Sequence, residues 1–183
     1  MSGSYVALLR GINVGGRNRI AMSDLRDAFA ESGYQAIQTY IQSGNVLFEA
    51  DVPSTQLEDA IEGRLGERFG TRIPVVVRSH EKLVDVVASA PEGFGADPGT
   101  HLSDVVFLKQ PLTAAEVVSA ATPREGVDRV WPGDGVVYFQ RLSERRAQSR
   151  LSRLASTPQY RSMTIRNWST TTRLLELLGE RKR

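Results

Sequence analysis

Short apolar runs alternate with stretches of helical spacing through the first 90 residues of the chain. The run Tyr5–Leu9 predicts a buried strand, and residues 36–41 and 46–48 predict two strands joined by a turn at Gln42–Asn45. Apolar stripes predict a helix after the first strand and another after the third, and residues 73–77 predict a fourth strand. The predicted order is βαββαβ with a trailing helix, which is the ferredoxin-like split βαβ arrangement.

Capping patterns indicate where the helices begin. Ser23 precedes the first helical stripe and is expected to be its N-cap. Thr55 with Glu58, and Thr113 with Glu116, have the spacing of a capping box.

The same order of elements recurs after a stretch rich in proline and glycine. Residues 91–102 are predicted to form a linker, followed by a second set of strands and helices. One of these helices is rich in arginine and is expected from about Glu144 to Ser156. The chain is thus predicted to be an α+β protein of two ferredoxin-like halves, residues 1–90 and 103–183, related by an internal duplication.

Two of the predicted strands do not alternate apolar and polar residues. Val75–Val77 and Val105–Leu108 are continuously apolar, which predicts that both faces of each sheet are covered, by the trailing helices or by the other half. RNA-recognition domains instead leave one sheet face open, with stacking aromatic residues. RNA binding on a sheet face is therefore disfavoured.

Basic residues are unevenly distributed along the chain. There are 23 Lys and Arg against 21 Asp and Glu, and 20 of the 23 are Arg. Residues 1–140 hold 12 basic and 18 acidic side chains, whereas residues 141–183 hold 11 basic and 3 acidic. Codon bias can explain the preference for Arg but not this asymmetry. The distribution predicts local basic sites on a balanced protein, which favours a discrete anion over a long polyanion.

Missing residue types exclude several kinds of site. The chain has no Cys, which excludes a thiol nucleophile, an iron–sulfur cluster and a Cys-ligated zinc. The two histidines, His80 and His101, lack the spacing of a metal pair, and neither adjoins a convincing catalytic motif. No metal and no cofactor are expected. An enzyme that uses neither thiol nor metal ranks below a binding protein, because no general base with a partner is evident.

The location is expected to be the cytoplasm. The apolar run Tyr5–Leu9 is interrupted by Arg10 and is shorter than a signal sequence or a membrane span. No membrane partner is expected, and the oligomeric state is left open.

A loop rich in glycine and arginine follows the first strand and leads into the first helix. Such loops direct backbone N–H groups at an anion, and glycine lets the backbone approach closely. The alternative is a structural loop whose glycines serve turns while Ile12 and Val14 pack beneath it. The candidate ligand contacts in this loop are Arg10, Gly11, Asn13, Gly15, Gly16 and Arg17, with Arg19 adding charge.

Three segments resemble a known family. They are Tyr5–Gly16 (YVALLRGINVGG), Thr39–Phe48 (TYIQSGNVLF) and Met163–Trp168 (MTIRNW). Together they are similar to the uncharacterised bacterial domain-of-unknown-function family 1697, over essentially the whole chain. The resemblance implies a cytoplasmic protein of two ferredoxin-like halves. It implies no activity, cofactor or catalytic residue.

The turn Ser43-Gly44-Asn45 is a second candidate site. Gly and Asn supply left-handed backbone angles for a turn, which is one sufficient explanation of the motif. The alternative is that Gln42, Ser43 and Asn45 form a polar edge beside the Gly-rich loop. The turn is expected at the sheet end opposite the exit of the first strand, so the two motifs are predicted to be separate within one half. Contact across the two halves or across a dimer is left open.

Two basic segments near the C-terminus are further candidates. Arg146, Arg150 and Arg153 have helical spacing and predict an Arg stripe that could follow phosphates, the alternative being a solvated helix face. Arg166 and Asn167 precede the final helix, where Asn167 is a natural N-cap and the pair predicts an anion pocket.

The leading hypothesis is a protein that binds a small phosphorylated or carboxylated ligand. The predicted contacts come from the Gly-rich loop, from Ser43 and Asn45, and from Arg166 with Asn167. Nucleic-acid binding through the arginines at 146, 150 and 153 is the second hypothesis, and an enzyme is the third.

Overall fold

The computed structural model of the chain describes residues 2–181. Its strands are β1 Gly3–Leu9, β2 Gln35–Tyr40, β3 Asn45–Ala50, β4 Val75–Ser79, β5 His101–Leu108, β6 Asp128–Pro132, β7 Val136–Leu142 and β8 Met163–Asn167. The helices are α1 Met22–Glu31, α2 Ser54–Phe69, α3 His80–Ala88, α4 Ala114–Ala121 and α5 Trp168–Glu180. Three 3₁₀ segments, Ser143–Gln148, Leu151–Ser156 and Pro158–Ser162, are together called the 3₁₀ region.

The strands form two four-stranded sheets in which all neighbours are antiparallel. The first sheet has the order β2-β3-β1-β4, and the second has the order β6-β7-β5-β8. The prediction of an α+β protein with two four-stranded halves is confirmed.

The two sheets share a repeated backbone arrangement at the end of their central strands. Leu9 N donates to Gly44 O at 2.8 Å in the first sheet, and Leu108 N donates to Gly135 O at 3.0 Å in the second. The next residue in each sheet also matches. Arg10 N donates to Pro74 O at 3.0 Å, and Lys109 N donates to Ser162 O at 2.8 Å. Pro74 directly precedes β4, and Ser162 directly precedes β8. These matching contacts are the structural form of the internal duplication.

The chain divides into two compact units that do not follow the sequence halves. Unit 1 contains the described residues up to Val84 together with those from Leu174 onward, and unit 2 contains Asp85–Arg173. The end of α5 therefore belongs to unit 1, where Arg181 Nη2 donates to Gln38 Oε1 at 3.3 Å. The stretch expected to be a linker lies within unit 2.

A buried phenylalanine holds this Pro/Gly-rich stretch in unit 2. The ring of Phe94 makes edge contacts with Trp131, Tyr138 and Trp168, at centroid distances of 6.2, 5.4 and 5.1 Å. Gly95 lies so close to the Trp168 ring that a Cβ atom there would have no space. Phe94 and Gly95 thus pack this stretch against other residues of unit 2.

Apolar side chains are buried on both faces of strands β4 and β5. Val75, Val76 and Val77 are all buried, as are all residues from Val105 to Leu108. In the first core, α1 contributes Leu25, Ala28 and Phe29 and α2 contributes Leu57, Ile61 and Leu65. The continuous apolar runs therefore correspond to strands covered on both faces, as the sequence predicts.

Two of the four predicted helix N-caps are wrong. Helix α1 begins at Met22, and its N-cap Ala21 offers no side-chain acceptor, so Ser23 lies inside the helix. Helix α2 begins at Ser54 after Pro53, again without a side-chain cap. Thr113 with Glu116 does form the predicted capping box.

Glu58 serves the sheet instead of the helix start. Its Oε1 accepts a hydrogen bond from Val77 N at 2.9 Å, and Glu62 Oε1 accepts one from Val75 N at 2.9 Å. Strand β4 lies at a sheet edge, so these backbone N–H groups have no strand partner and the glutamates satisfy them.

The predicted basic helix over 144–156 is also wrong, because this part of the chain forms the 3₁₀ region. Asp128 Oδ2 accepts a hydrogen bond from Arg150 N at 2.9 Å and so takes this N–H group away from a helical hydrogen bond. Ser149 Oγ accepts from Leu151 N at 3.2 Å, which is a second local competitor.

Among the helices of residues 2–181, none combines the length and the hydropathy needed to cross a membrane.

Candidate functional site

The Gly/Arg loop, residues 10–21, folds into a small hairpin of its own. Arg17 N donates to Val14 O and Asn13 N donates to Asn18 O, both at 3.1 Å. Gly15 and Gly16 at the tip have φ values of 59° and 75°, the left-handed pair of a tight hairpin turn. The glycines therefore serve a turn, and this turn places Arg17 and Arg19 on one arm.

The side chain of Asn13 connects this loop to the β2–β3 turn. Its Nδ2 donates to Ile20 O at 3.0 Å and to Gln42 O at 2.9 Å, and its Oδ1 accepts from Ile20 N at 2.8 Å. One amide group thus closes the base of the loop and attaches it to the neighbouring turn. Asn13 is a structural clamp as well as a pocket residue.

Gly44 allows the turn to pack directly on the loop. A Cβ atom at this position would lie 2.8 Å from Ile12 Cδ1 and 2.9 Å from Leu9 Cβ, and its φ is 93°. Only glycine fits both the angle and the space. If the loop were only structural, both Ile12 and Val14 would pack beneath it. Ile12 is fully buried as that alternative predicts, whereas Val14 is exposed.

The expectation that the two motifs lie at opposite ends of the sheet is wrong. Strand β3 is antiparallel to β1, with Leu8 opposite Asn45, so the beginning of β3 lies beside the end of β1. The turn that precedes β3 is therefore at the exit of β1, where the Gly/Arg loop starts. The two motifs form one cluster within the first half.

A pocket of about 350 Å³ opens between the loop and the turn. It is lined by Asn13, Gly16, Arg19, Ile20, Ala21 and Gln42. Of the ligand contacts predicted from the sequence, only Asn13 and Gly16 are among these residues. Gly11, Gly15, Arg10 and Arg17 belong to the loop without lining the pocket. Arg19 and Gln42 line the pocket although the sequence predicts only charge for Arg19 and polarity for Gln42.

Two cationic side chains of the Gly/Arg loop lack acidic partners. Within residues 2–181, the guanidinium groups of Arg17 and Arg19 form no ion pair and no hydrogen bond, and both residues are exposed. Arg19 Nη2 lies 3.9 Å from where a Cβ of Gly16 would stand, so the guanidinium lies over the loop tip. No Asp or Glu occurs before Asp24.

Left-handed backbone angles are concentrated in this cluster. Seven of the fifteen described residues with positive φ belong to the loop or the turn, namely Gly11, Asn13, Gly15, Gly16, Asn18, Ile41 and Gly44. Ile41, with φ of 50°, is the unusual member, since β-branched side chains strongly disfavour this conformation.

Ser43 and Asn45 support the turn from inside. Asn45 is fully buried, and its Nδ2 donates to Tyr40 O at 2.9 Å and to Ser43 Oγ at 3.3 Å. It lies in β3 and does not have the positive φ that the turn motif suggested. The hydrogen bonds of Asn45 therefore close the hairpin.

Arg166 and Asn167 lie in unit 2, whereas the loop lies in unit 1. Arg166 is buried, and its Nη1 donates to Thr164 Oγ1 and to Ile165 O, both at 2.8 Å. This burial lowers the pKa of Arg166 to about 10. Asn167 Oδ1 accepts from Thr170 N at 2.8 Å, which is the N-cap predicted for α5.

The predicted stripe of Arg146, Arg150 and Arg153 does not form. The 3₁₀ region lacks the 3.6-residue repeat that would align the three side chains. Arg150 Nη1 donates to Thr122 O at 3.1 Å, whereas Arg146 and Arg153 are exposed.

Asp104 in unit 2 has a buried carboxylate oxygen, and the sequence predicts no site at this residue. Asp104 Oδ2 lies 3.4 Å from Arg141 Nη1. This oxygen makes no hydrogen bond within the described part of the chain. Burial raises the pKa of Asp104, and the charge of Arg141 opposes this rise. The signal available in the sequence was one acidic residue inside the apolar run of β5.

Comparison with known proteins supports the fold. The family model described as "Protein of unknown function (DUF1697)" matches residues 2–138. The structure of the conserved bacterial protein SP0830 from Streptococcus pneumoniae is similar, with a TM-score of 0.85 and 24% sequence identity over 97% of this chain and 99% of that chain. No curated protein matches significantly. Because the family model covers more than half of the chain, this protein belongs to the DUF1697 family.

Proposed function

We propose that this protein binds a small phosphorylated or carboxylated anion in the pocket between the Gly/Arg loop and the β2–β3 turn. The observation that carries the proposal is the position of Arg19, which lines a pocket of about 350 Å³ without any carboxylate among the lining residues. Pockets of this size hold small molecules. We also propose that the protein is located in the cytoplasm, as the sequence predicts.

Charge supports an anionic ligand. Arg17 and Arg19 project from one arm of the loop hairpin, and their charges are not neutralised by ion pairs within residues 2–181. Guanidinium groups bind phosphate and carboxylate through paired N–H donors. A charged hydrogen bond of this kind contributes about 1.5–3 kcal/mol.

Backbone donors at the same place add to this charge. Helix α1 begins at Met22 directly after the pocket residue Ala21, and no side chain caps its first turn. The N–H groups of such a turn favour an anionic acceptor. Asp24 is the acidic residue of this turn and opposes a bound anion.

Isothermal titration calorimetry tests the proposal with inorganic phosphate, nucleotides, phosphorylated sugars and small carboxylates. The wild type is expected to bind at least one of these, and Arg19→Gln is expected to weaken that binding about tenfold or more. Asp24→Asn is expected to strengthen it, because the substitution removes a competing negative charge. Arg129→Gln is the matched control, since it removes one exposed positive charge from β6 in unit 2.

Arg17→Ala tests whether the second cationic side chain of the Gly/Arg loop contributes to binding. If no ligand binds the wild type, or if Arg17→Ala and Arg19→Gln both bind as well as Arg129→Gln does, the pocket is not an anion site. Binding lost equally in all three variants would indicate a general effect of net charge and would also contradict the proposal.

A further inference from the structure

Two exposed aliphatic side chains belong to residues that adjoin the pocket lining in the sequence. The exposed large hydrophobic residues described are Val14, Ile41, Val52 and Val84, with exposed fractions of 61%, 47%, 40% and 40%. The two most exposed residues adjoin the pocket-lining residues Asn13 and Gln42, which are themselves joined by the 2.9 Å hydrogen bond. The two most exposed of these four side chains are thus next in sequence to residues that line the pocket.

The fold itself gains little from either side chain. Ile41 has a left-handed φ of 50° and is close to half exposed, so the backbone is strained while the side chain contributes little to a core. Asn or Gly would relieve this strain. Val14 begins the tight turn of the loop hairpin and is the most exposed of the four.

The pocket lining also includes aliphatic residues. Ile20 and Ala21 line it together with Arg19. The pocket has a volume of about 350 Å³. Since one water takes roughly 30 Å³ of liquid volume, the pocket has more room than one phosphate or carboxylate group fills.

From these observations we infer that the ligand is an amphipathic anion, a phosphate or carboxylate that carries a short aliphatic group. The anionic group contacts Arg19 and the first turn of α1, and the aliphatic group lies against Ile20, Val14 and Ile41. This inference rests on the proposed anion site and names the class of its ligand. The same chemistry occurs in a soluble ester and in a lipid headgroup, which the experiment below distinguishes.

The test compares ligands that are matched in charge, are similar in chain length and differ in polarity. Butyl phosphate is compared with glycerol phosphate, and hexanoate with gluconate, with inorganic phosphate as the common reference for anion binding. Each methylene removed from water favours binding about fourfold. In at least one pair the aliphatic member is therefore expected to bind about tenfold more tightly.

Variants of the two exposed residues assign the preference to this surface. Val14→Ser and Ile41→Asn are each expected to reduce the preference several-fold while leaving the affinity for inorganic phosphate unchanged. Val52→Ser, at an exposed valine whose neighbours in the sequence do not line the pocket, is the matched control and is expected to keep the preference. Ile41→Asn is expected to unfold at the same or a higher temperature, so a lost preference cannot be attributed to unfolding.

The outcomes separate the inference from the proposed function. Inorganic phosphate that binds through Arg19, without an aliphatic preference or with one that persists in both variants, overturns the inference and leaves the anion site standing. Absence of binding by every soluble probe overturns the anion site for soluble ligands.

Vesicles distinguish the lipid source. Co-sedimentation with phosphatidic acid vesicles but not with phosphatidylcholine vesicles, lost in both Arg19→Gln and Val14→Ser, assigns the amphipathic anion to a lipid. Absence of sedimentation together with an aliphatic preference in solution assigns it to a soluble ester or acid. Absence of both overturns the inference.

Discussion

The side-chain nitrogen of Asn13 donates to the backbone oxygen of Gln42 at 2.9 Å and joins the Gly/Arg loop to the β2–β3 turn. These residues are 29 positions apart. They belong to two motifs that the sequence alone predicts at opposite ends of the sheet. The same amide also binds both backbone polar groups of Ile20. The candidate pocket therefore depends on one side chain for its closure.

Substitution of Asn13 by alanine is expected to destabilise the protein by about 2–3 kcal/mol. Three hydrogen bonds are lost, each with a net contribution of about 1 kcal/mol. Asn13→Gly retains the freedom to adopt φ of 53° and isolates the side-chain contribution. Urea unfolding followed by circular dichroism measures both variants. An Asn13→Gly variant as stable as the wild type would show that these hydrogen bonds contribute nothing.

Gly44→Ala is expected to destabilise the protein by about 2–4 kcal/mol. The new Cβ would approach Leu9 Cβ to 2.9 Å, which the rigid base of that side chain cannot relieve, and φ of 93° adds backbone strain. Gly70→Ala is the matched control, because Gly70 has φ of 67° and nothing within 4 Å of the new Cβ. The control is expected to cost about 1 kcal/mol. Equal losses of melting temperature in the two variants would contradict the close packing of turn and loop.

Strand positions and their order were predictable because apolar runs report burial directly. The runs at Tyr5–Leu9 and Val105–Leu108 became the central strands of the two sheets. The location of the β2–β3 turn was not predicted correctly, since it depends on which strands pair. Antiparallel pairing of β1 with β3 brings the turn beside the loop, and the sequence order alone does not give that pairing.

The 3₁₀ region shows a different limit of sequence reasoning. Arg146, Arg150 and Arg153 have helical spacing, but spacing alone does not include the tertiary acceptor at Asp128, which is 22 residues before Arg150 in the chain. Arg19 and Gln42 became pocket residues for a similar reason. Their neighbours are set by the clamp at Asn13, whereas the sequence showed only their charge and polarity.

Asp128→Ala is expected to loosen the 3₁₀ region. Asp128 Oδ2 accepts hydrogen bonds from Arg124 N and Arg150 N, both at 2.9 Å, so the substitution leaves two backbone donors without their acceptor. We expect a loss of about 2–4 kcal/mol and faster trypsin cleavage after Arg150 and Arg153. Asp128→Asn retains one oxygen acceptor and is expected to show a smaller effect. Cleavage at the wild-type rate in Asp128→Ala would mean that other contacts hold this region.

The carboxyl of Asp104 is expected to make stability fall as the pH rises. Burial raises its pKa above the ordinary value of 3.8, so the folded protein binds this proton more tightly than the unfolded chain does. The unfolding free energy contributed by this proton is fully present below pH 3.8 and is lost as the pH passes through the raised pKa. Asp104→Asn carries no titrating proton and is the reference.

Urea unfolding of the wild type and of Asp104→Asn between pH 3 and 8 measures this effect as the difference between the two unfolding free energies. The difference is expected to shift against the wild type as the pH rises. Arg141→Met should extend this shift to higher pH, because Arg141 lies 3.4 Å from Asp104 Oδ2 and its charge lowers the pKa of that carboxyl. A wild type that gains stability relative to Asp104→Asn with rising pH would show that the pull of Arg141 exceeds the effect of burial. In that case the buried pair is an ion pair throughout this pH range.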